Sequence, residues 1–225
     1  MDYRSVLDTV NRFIRDPDTI YNDIKDGRSF RAFFFSSLFA ILVFGGFYGA
    51  VMGLYAGGLQ ILFDALKIPM LLLISLFVSL PTYYVLSGIL GGELSLRQLT
   101  TLFMVSFAVM STLLVAFMPV TLFFTLTTPE RTFTTYAFTI LLNVGFFALS
   151  GLTAVSYLLK GFSRIHDENR SWVLSFIIGS LVLIFVGTQL AWVLRPYFHF
   201  SNQFIAPPSG NFYIALLQLI LRLLG

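Results

Sequence analysis

The sequence predicts an all-α fold: a polytopic integral membrane protein with five transmembrane helices, an N-terminal amphipathic helix and a C-terminal interfacial helix. The composition supports this class, because 57% of the residues are hydrophobic and only 11% are charged, well outside the range of soluble proteins. The charges also cluster between five long apolar stretches, so each stretch can cross hydrocarbon without carrying a charge. We therefore expect a dry, charge-free membrane interior.

The N-terminal segment, residues 1–31, is charged along its length and predicts a short amphipathic helix over residues 2–15. One face of that helix carries the apolar side chains of Tyr3, Val6, Val10, Phe13 and Ile14. Such a helix either lies among the lipid headgroups or docks a cytosolic partner. The first alternative is favoured, because flanking Lys and Arg residues suit anionic lipid.

The membrane domain, residues 32–195, contains the five apolar stretches. Each exceeds the ~20 residues that a bilayer core requires; they are residues 33–54, 68–90, 99–126, 133–159 and 172–194. Trp172 and Trp192 bracket the last stretch and are predicted interface anchors. Pro81 is expected to kink the second helix, and Pro119 to kink or break the third.

The basic residues are distributed unequally between the two sides of the predicted membrane domain. One side holds Arg4, Arg12, Arg15, Lys25, Arg28, Arg31, Arg97, Lys160, Arg164 and Arg170. The opposite side holds Lys67, Arg131, Arg195 and Arg222. The positive-inside rule then predicts a cytosolic N-terminus and, after five spans, an external C-terminus.

The tail, residues 196–225, ends in an apolar segment over residues 212–224. As a helix this segment would be only ~20 Å long, which is too short to cross a bilayer. We expect an interfacial or re-entrant helix on the outer face. The alternative is a sixth, heavily tilted span that begins earlier and returns the C-terminus to the cytosol.

A stripe of glycines follows the first span at intervals of four residues: Gly45, Gly49, Gly53 and Gly57. Small residues at this spacing line one helix face and allow another backbone to approach closely. The favoured interpretation is packing against another span of the same chain. Homodimerisation through the same face is the alternative, and Gly57, the last of the four, can instead belong to the outer loop.

Polar groups inside the predicted spans are few and uncharged. Asn143 in the fourth span and Gln189 in the fifth are predicted to form interhelical hydrogen bonds. Asp64, Glu93 and Glu130 fall at span ends, where solvation is cheap. Because ion-coupled carriers usually place an ionisable residue near mid-membrane, this pattern argues against carrier chemistry.

No catalytic, cofactor-binding or metal-binding set is visible in the sequence. The chain has no Cys, and the contiguous run of His166, Asp167 and Glu168 cannot converge on one cation. His199 stands alone in the tail. We expect a protein that is not an enzyme, holds no cofactor and binds no nucleic acid.

Two short stretches resemble the Yip (Ypt-interacting-protein domain) family of five-span membrane proteins, in its bacterial form. The first is Arg-Asp-Pro-Asp-Thr-Ile-Tyr at residues 15–21. The second is Leu-Pro-Thr-Tyr-Tyr-Val-Leu-Ser-Gly at residues 80–88, followed by Gly-Gly-Glu-Leu-Ser at residues 91–95. The eukaryotic Asp-Leu-Tyr-Gly-Pro pattern is absent. The resemblance implies five spans after a cytosolic segment, in the inner membrane of a bacterium.

We therefore expect a non-enzymatic membrane scaffold or accessory subunit, for example of a transport or export complex. Its expected partners are membrane lipid, other integral membrane proteins and further copies of itself. The alternative function is an oligomeric channel or a lipid-handling transporter subunit. Polar span residues that share one face would favour this alternative.

Overall fold

The computed structural model describes residues 3–89, 94–128, 132–166, 172–198, 203–207 and 210–224. Within these residues the regular elements are eight helices. They are α1 (Tyr3–Arg15), α2 (Pro17–Lys25), α3 (Phe30–Gly53), α4 (Gln60–Ile89), α5 (Leu96–Thr127), α6 (Phe133–Ile165), α7 (Trp172–Val193) and α8 (Phe212–Leu224). The predicted all-α class is confirmed.

Helices α3 to α7 are each long and apolar enough to cross a membrane, which confirms the predicted number of spans. Two of them extend well past the apolar stretches from which they were predicted. Helix α4 begins at Gln60 and α6 continues to Ile165. Backbone hydrogen bonding in a helix does not require apolar side chains, so polar residues next to an apolar stretch can join the same helix.

The five long helices pack in the order α7, α4, α3, α5 and α6, with α3 at the centre. Helices α6 and α7, at the two ends of this series, make little contact with each other. We call the end of the bundle that carries α1 and α2 the proximal end and the opposite end the distal end. Short connections make consecutive spans antiparallel, so α4 begins at the distal end and α7 finishes there.

Helix α1 packs on the proximal end of the bundle, against α3 and α5. Val6, Val10 and Phe13 on its apolar face are buried, and the Phe13 ring meets the Phe33 ring edge-on at 5.8 Å between centroids. The expectation that lipid headgroups cover this face is wrong for these three side chains, because protein covers them, whereas Ile14 is 50% exposed. An amphipathic pattern is the same whether lipid or protein buries the apolar face.

Helix α2 follows α1 almost directly and was not predicted as a helix. Its N-cap is Asp16, whose side chain accepts a hydrogen bond from the Thr19 backbone N–H at 3.4 Å, and Pro17 occupies the first helical turn. Asp and Pro at these positions favour a helix start. The Asp-Pro pair therefore both ends α1 and begins α2.

Pro81 and Pro119 both lie inside uninterrupted helices, α4 and α5. The predicted break at Pro119 is wrong, since α5 continues to Thr127. A kink at either proline stays a prediction.

The predicted C-terminal helix is present as α8, with 13 residues. The Asn211 side chain caps it by accepting a hydrogen bond from the Ile214 backbone N–H at 3.0 Å. The helix contacts α6 and α7, and the hydroxyls of Tyr213 and Thr188 lie 2.9 Å apart. Its placement relative to a membrane stays a prediction.

Candidate functional site: a buried ion pair at the distal end

The first turns of α4 carry two charged residues that the fold buries completely. The side chains of Asp64 and Lys67 have no exposed surface, and Lys67 Nζ lies 3.4 Å from Asp64 Oδ1. The expectations of a charge-free interior and of a solvated Asp64 at a span end are wrong. Because α4 begins at Gln60, both residues fall inside the helix and face its neighbours.

The chain that follows α7 covers this pair. We call residues 194–198 and 203–207 the distal cap. The carbonyl oxygen of Pro196 accepts hydrogen bonds from Gln60 Nε2 at 2.6 Å and from Lys67 Nζ at 2.5 Å. Gln60 Nε2 also donates to Asp64 Oδ1 at 2.7 Å. The ion pair is thus tied to the cap through one backbone carbonyl.

Aromatic rings of the cap surround the ammonium group. Lys67 Nζ lies 5.3 Å from the ring centroid of Tyr197 and 5.5 Å from that of Phe204, within the range of cation–π attraction. Burial, and secondarily the negative charge of Asp64, raise the pKa of Tyr197 above its ordinary value. The phenol therefore stays neutral beside the ion pair.

Arg195 holds the cap in its folded shape. Its guanidinium Nη2 donates to the Pro207 carbonyl at 2.9 Å and stacks 3.9 Å from the ring of Trp192. The Arg195 carbonyl in turn accepts from the Ala206 backbone N–H at 2.7 Å. These contacts join the two described parts of the cap, residues 194–198 and 203–207, beside the start of α4.

Three buried polar atoms of this site have no hydrogen-bond partner among the described residues. They are Asp64 Oδ2, Gln60 Oε1 and the Tyr197 hydroxyl. Buried polar atoms in folded proteins are nearly always hydrogen-bonded. These three atoms are therefore unused hydrogen-bonding groups inside the site. The arrangement contains one carboxylate and one ammonium, and its net charge is zero.

The glycine stripe explains how α3 approaches the ion pair. A Cβ atom on Gly53 would lie 2.6 Å from Ile61 Cα, and one on Gly49 would collide with the Asp64 carbonyl. Gly45 faces side chains of α4, with Leu72 Cδ1 at 3.6 Å from the Cβ position. The partner of this face is α4 of the same chain.

Gly57 does not belong to that packing face, so its predicted role is wrong. It lies beyond the end of α3, has a φ of 75°, and nothing lies within 4 Å of its Cβ position. A positive φ is the left-handed region, which glycine adopts without steric cost. Gly57 is therefore suited to the turn between α3 and α4 and not to helix packing.

Asn143 joins three helices near the middle of the bundle. Its Oδ1 accepts from the Tyr48 hydroxyl of α3 at 2.6 Å and from the Thr121 hydroxyl of α5 at 3.4 Å. Its Nδ2 donates to the Thr139 carbonyl at 2.8 Å. Gln189 of α7 differs, since its half-buried side chain has no hydrogen bond to any described residue.

Both tryptophans lie at the ends of α7, but their surroundings differ. Trp172 keeps only 9% of its surface exposed and packs against Phe162, with 6.3 Å between ring centroids. The predicted interface anchor at Trp172 therefore faces protein more than lipid. Trp192 is half-buried beneath Arg195, and its anchoring role stays a prediction.

A row of buried polar side chains on α4 was missed by the sequence analysis. The row consists of Lys67, Ser75, Ser79, Tyr83 and Ser87. The Tyr83 hydroxyl lies 2.8 Å from Ser180 Oγ of α7, and Ser75 Oγ lies 3.7 Å from the Cβ position of Gly187. From Ser75 to Ser87 the members of the row are four residues apart, so neighbouring members are adjacent on the helix surface, a signal that the sequence does contain. Each step of four rotates the row by about 40°, so Lys67 lies on a different side of α4 from Ser87.

In the described part of the chain, no group of three or more His, Cys, Asp or Glu residues could hold a metal ion. His166 is half-buried, with Nδ1 3.0 Å from the Phe162 carbonyl. Glu93, Glu130, Asp167, Glu168 and His199 lie outside the described residues.

No protein-family model, curated protein or solved structure matches the chain. The resemblance to the Yip family therefore stays a prediction.

Proposed function

We propose that this protein is a non-enzymatic membrane scaffold or accessory subunit that binds other integral membrane proteins. The observation that carries the proposal is the internal use of polar groups within the spans. Asp64 and Lys67 bind each other and the distal cap, and Asn143 binds Tyr48. Polar side chains that bind each other in this way hold the helices in one fixed arrangement. A fixed arrangement suits a scaffold that binds and positions other membrane proteins.

The surface proposed for partner binding is the outward face of α1. Its apolar face is buried on the bundle, so its polar face is directed away from the bundle. Asp8, Asn11, Arg12 and Arg15 are exposed there. A fixed helix with charges of both signs supports recognition of a charged protein surface. This corresponds to the docking alternative for the N-terminal helix.

The test is site-specific photo-cross-linking in native membranes. A photoreactive residue at exposed Asn11 should give a discrete adduct with one membrane protein, and the two purified proteins mixed in lipid should give the same adduct. The matched control is the same residue at buried Val10, which should give none. An absence of adduct at Asn11, or equal products at both positions, would contradict the proposal.

One observation favours a second candidate, a channel or lipid-handling transporter. Ser75 and Tyr83 of the polar row lie against α7. The hydroxyls of Ser75, Ser79 and Ser87 have no hydrogen-bond partner among the described residues. A polar pathway through hydrocarbon needs such groups to replace hydration. In this candidate the pathway would lie between α4 and α7 of one chain.

Liposome reconstitution distinguishes the two functions. The scaffold proposal expects no ion or lipid flux above that of empty vesicles. Flux that is lost in Ser79→Ala would favour the transporter. The matched control is Ser156→Ala, because Ser156 is an exposed residue of α6 and lies far from the polar row in sequence.

A further inference from the structure

A groove of about 510 Å³ lies at the proximal end, between α2, α6 and α7. Helix α6 contributes Lys160, Ser163 and Arg164, and α2 contributes Asp18. Trp172, at the start of α7, completes the lining on the third side. Neither the predicted functions nor the distal site uses this groove.

The groove lies at the edge of the predicted hydrocarbon layer. Residues 133–159 of α6 contain no Asp, Glu, Lys or Arg, and Lys160 is the first charge that follows them. Toward the membrane centre, α6 and α7 expose leucines, with Leu159 43%, Leu152 61% and Leu174 54% exposed. A ligand in the groove would therefore have its polar part beside charges and any acyl chains beside apolar surface.

The lining combines two cations with an anion. Lys160 and Arg164 are four residues apart on α6, so they share a face and their Cβ atoms lie about 6 Å apart. The Asp18 carboxylate lies 3.7 Å from Arg164 Nη2, and both side chains are more than half exposed. Lys160 is exposed and has no ion pair with a described residue. The groove thus offers separate positions for a negative and a positive ligand group.

The α2 wall of the groove is held in place by aromatic contacts. The Tyr21 hydroxyl donates to the Tyr157 carbonyl at 3.2 Å, and the two rings lie 4.8 Å apart. Burial, and secondarily Asp18, raise the pKa of Tyr21 above its ordinary value. The Tyr21 phenol therefore stays neutral, and its contacts hold α2, which carries Asp18, against α6.

We propose that the groove binds the headgroup of phosphatidylethanolamine, with its phosphate between Lys160 and Arg164 and its ammonium group at Asp18. Charge-assisted hydrogen bonds of both kinds are strong, and basic sites between membrane helices suit lipid phosphates. Asp18 disfavours lipids with a net negative headgroup. The quaternary ammonium of phosphatidylcholine cannot donate a hydrogen bond to Asp18. The inference does not depend on the scaffold proposal.

The test measures lipid binding to the purified full chain in mild detergent. Dioctanoyl phosphatidylethanolamine should bind saturably and more tightly than the matching phosphatidylcholine or phosphatidylglycerol. Lys160→Gln and Arg164→Gln should each weaken binding about tenfold or more, as expected from loss of one charge-assisted hydrogen bond. Asp18→Asn should remove the preference for ethanolamine over glycerol headgroups.

Two controls keep the result interpretable. Arg31→Gln changes an exposed basic residue at the start of α3, outside the groove, and should leave binding unchanged. The thermal stability of every variant is measured alongside, and because the altered side chains are exposed, it should stay near that of the parent.

Three outcomes would overturn the inference. The first is equal binding of the three lipids to the parent and to all groove variants. The second is tighter binding of phosphatidylglycerol that Asp18→Asn leaves unchanged, which would indicate a site for anionic lipid. The third is displacement by free phosphoethanolamine at the same concentration as the lipid, which would indicate a soluble ligand.

Discussion

The residues that distinguish this protein from a simple apolar bundle are the charges inside α4. Removing two charges from water is costly, and a buried pair recovers that cost only through close contact and further hydrogen bonds. Lys67 has both, because it contacts Asp64 and donates to the Pro196 carbonyl. Loss of either charge alone would leave the other buried and uncompensated.

We predict that Lys67→Met destabilises the protein by about 3–5 kcal/mol, the usual cost of breaking a buried ion pair. The double variant Asp64→Leu with Lys67→Met should recover much of this loss, since no charge then remains buried. Unfolding of the purified protein in detergent measures both. Equal destabilisation by the single and double variants would mean that Asp64 and Lys67 do not act as a pair.

Asn143 of α6 and Gln189 of α7 provide a comparison between two polar side chains inside the long helices. Asn143→Leu should cost about 1–3 kcal/mol, because it leaves the Tyr48 hydroxyl buried without its acceptor. Gln189→Leu should change stability by less than about 0.5 kcal/mol, since it breaks no hydrogen bond to a described residue. The same unfolding assay applies, and a larger loss at Gln189 would contradict the described geometry.

At the scale of elements, the contact between α3 and α4 determines how the distal site is built. Gly49 and Gly53 bring the α3 backbone against the α4 backbone at Gln60 and Asp64. Close backbone approach through small residues is the usual way in which membrane helices associate. The glycines of α3 and the ion pair of α4 therefore belong to one interface.

We predict that Gly49→Ala lowers the free energy of unfolding by about 1–3 kcal/mol, the usual cost of overpacking. The added methyl group would meet the backbone of Asp64, which cannot move aside as a flexible side chain could. Gly145→Ala is the control, because nothing lies within 4 Å of its Cβ position. That change should be neutral or stabilise α6 by up to about 1 kcal/mol. Equal effects at both positions would exclude close packing at Gly49.

For the whole molecule, the unequal distribution of basic residues predicts a cytosolic N-terminus and an external C-terminus. The absence of Cys allows single Cys residues to be placed at Asp2 and Gly225. An impermeant thiol reagent applied to intact cells should label the second variant and leave the first unlabelled. Lysed cells, where both variants should react, are the control. Equal labelling in intact cells would imply an even number of spans.

The sequence predicts the spans well because hydrocarbon imposes a strong and simple rule. A membrane segment must be long, helical and nearly free of charge, and α3 to α7 satisfy this rule over most of their length. The ion pair was not predicted because this rule evaluates each charged residue singly and does not consider whether two charges can pair. Asp64 and Lys67 are acceptable in α4 only together, and only beneath a cap that is more than 100 residues distant in the chain.

The faces of the helices were harder to predict than their existence. Hydrophobic periodicity shows that Val10 and Phe13 share a side of α1, but protein and lipid bury such a side equally well. The glycine spacing likewise continues to Gly57 although the helix ends at Gly53. A local pattern of residues specifies neither what will cover a helix face nor where the helix ends, and this explains both errors.

The central position of α3 has a consequence for biosynthesis. Of the five long helices α3 is synthesised first, and α4 and α5 then pack on its two sides, so the bundle can grow outward from its centre. Helix α6 adds to α5 directly. Helix α7 is the exception, because α5, α3 and α4 separate it from α6 in the packing order. It must join α4 before the distal cap can cover Lys67. Completion of the bundle and burial of the Asp64–Lys67 pair beneath the cap therefore coincide in one late step of assembly.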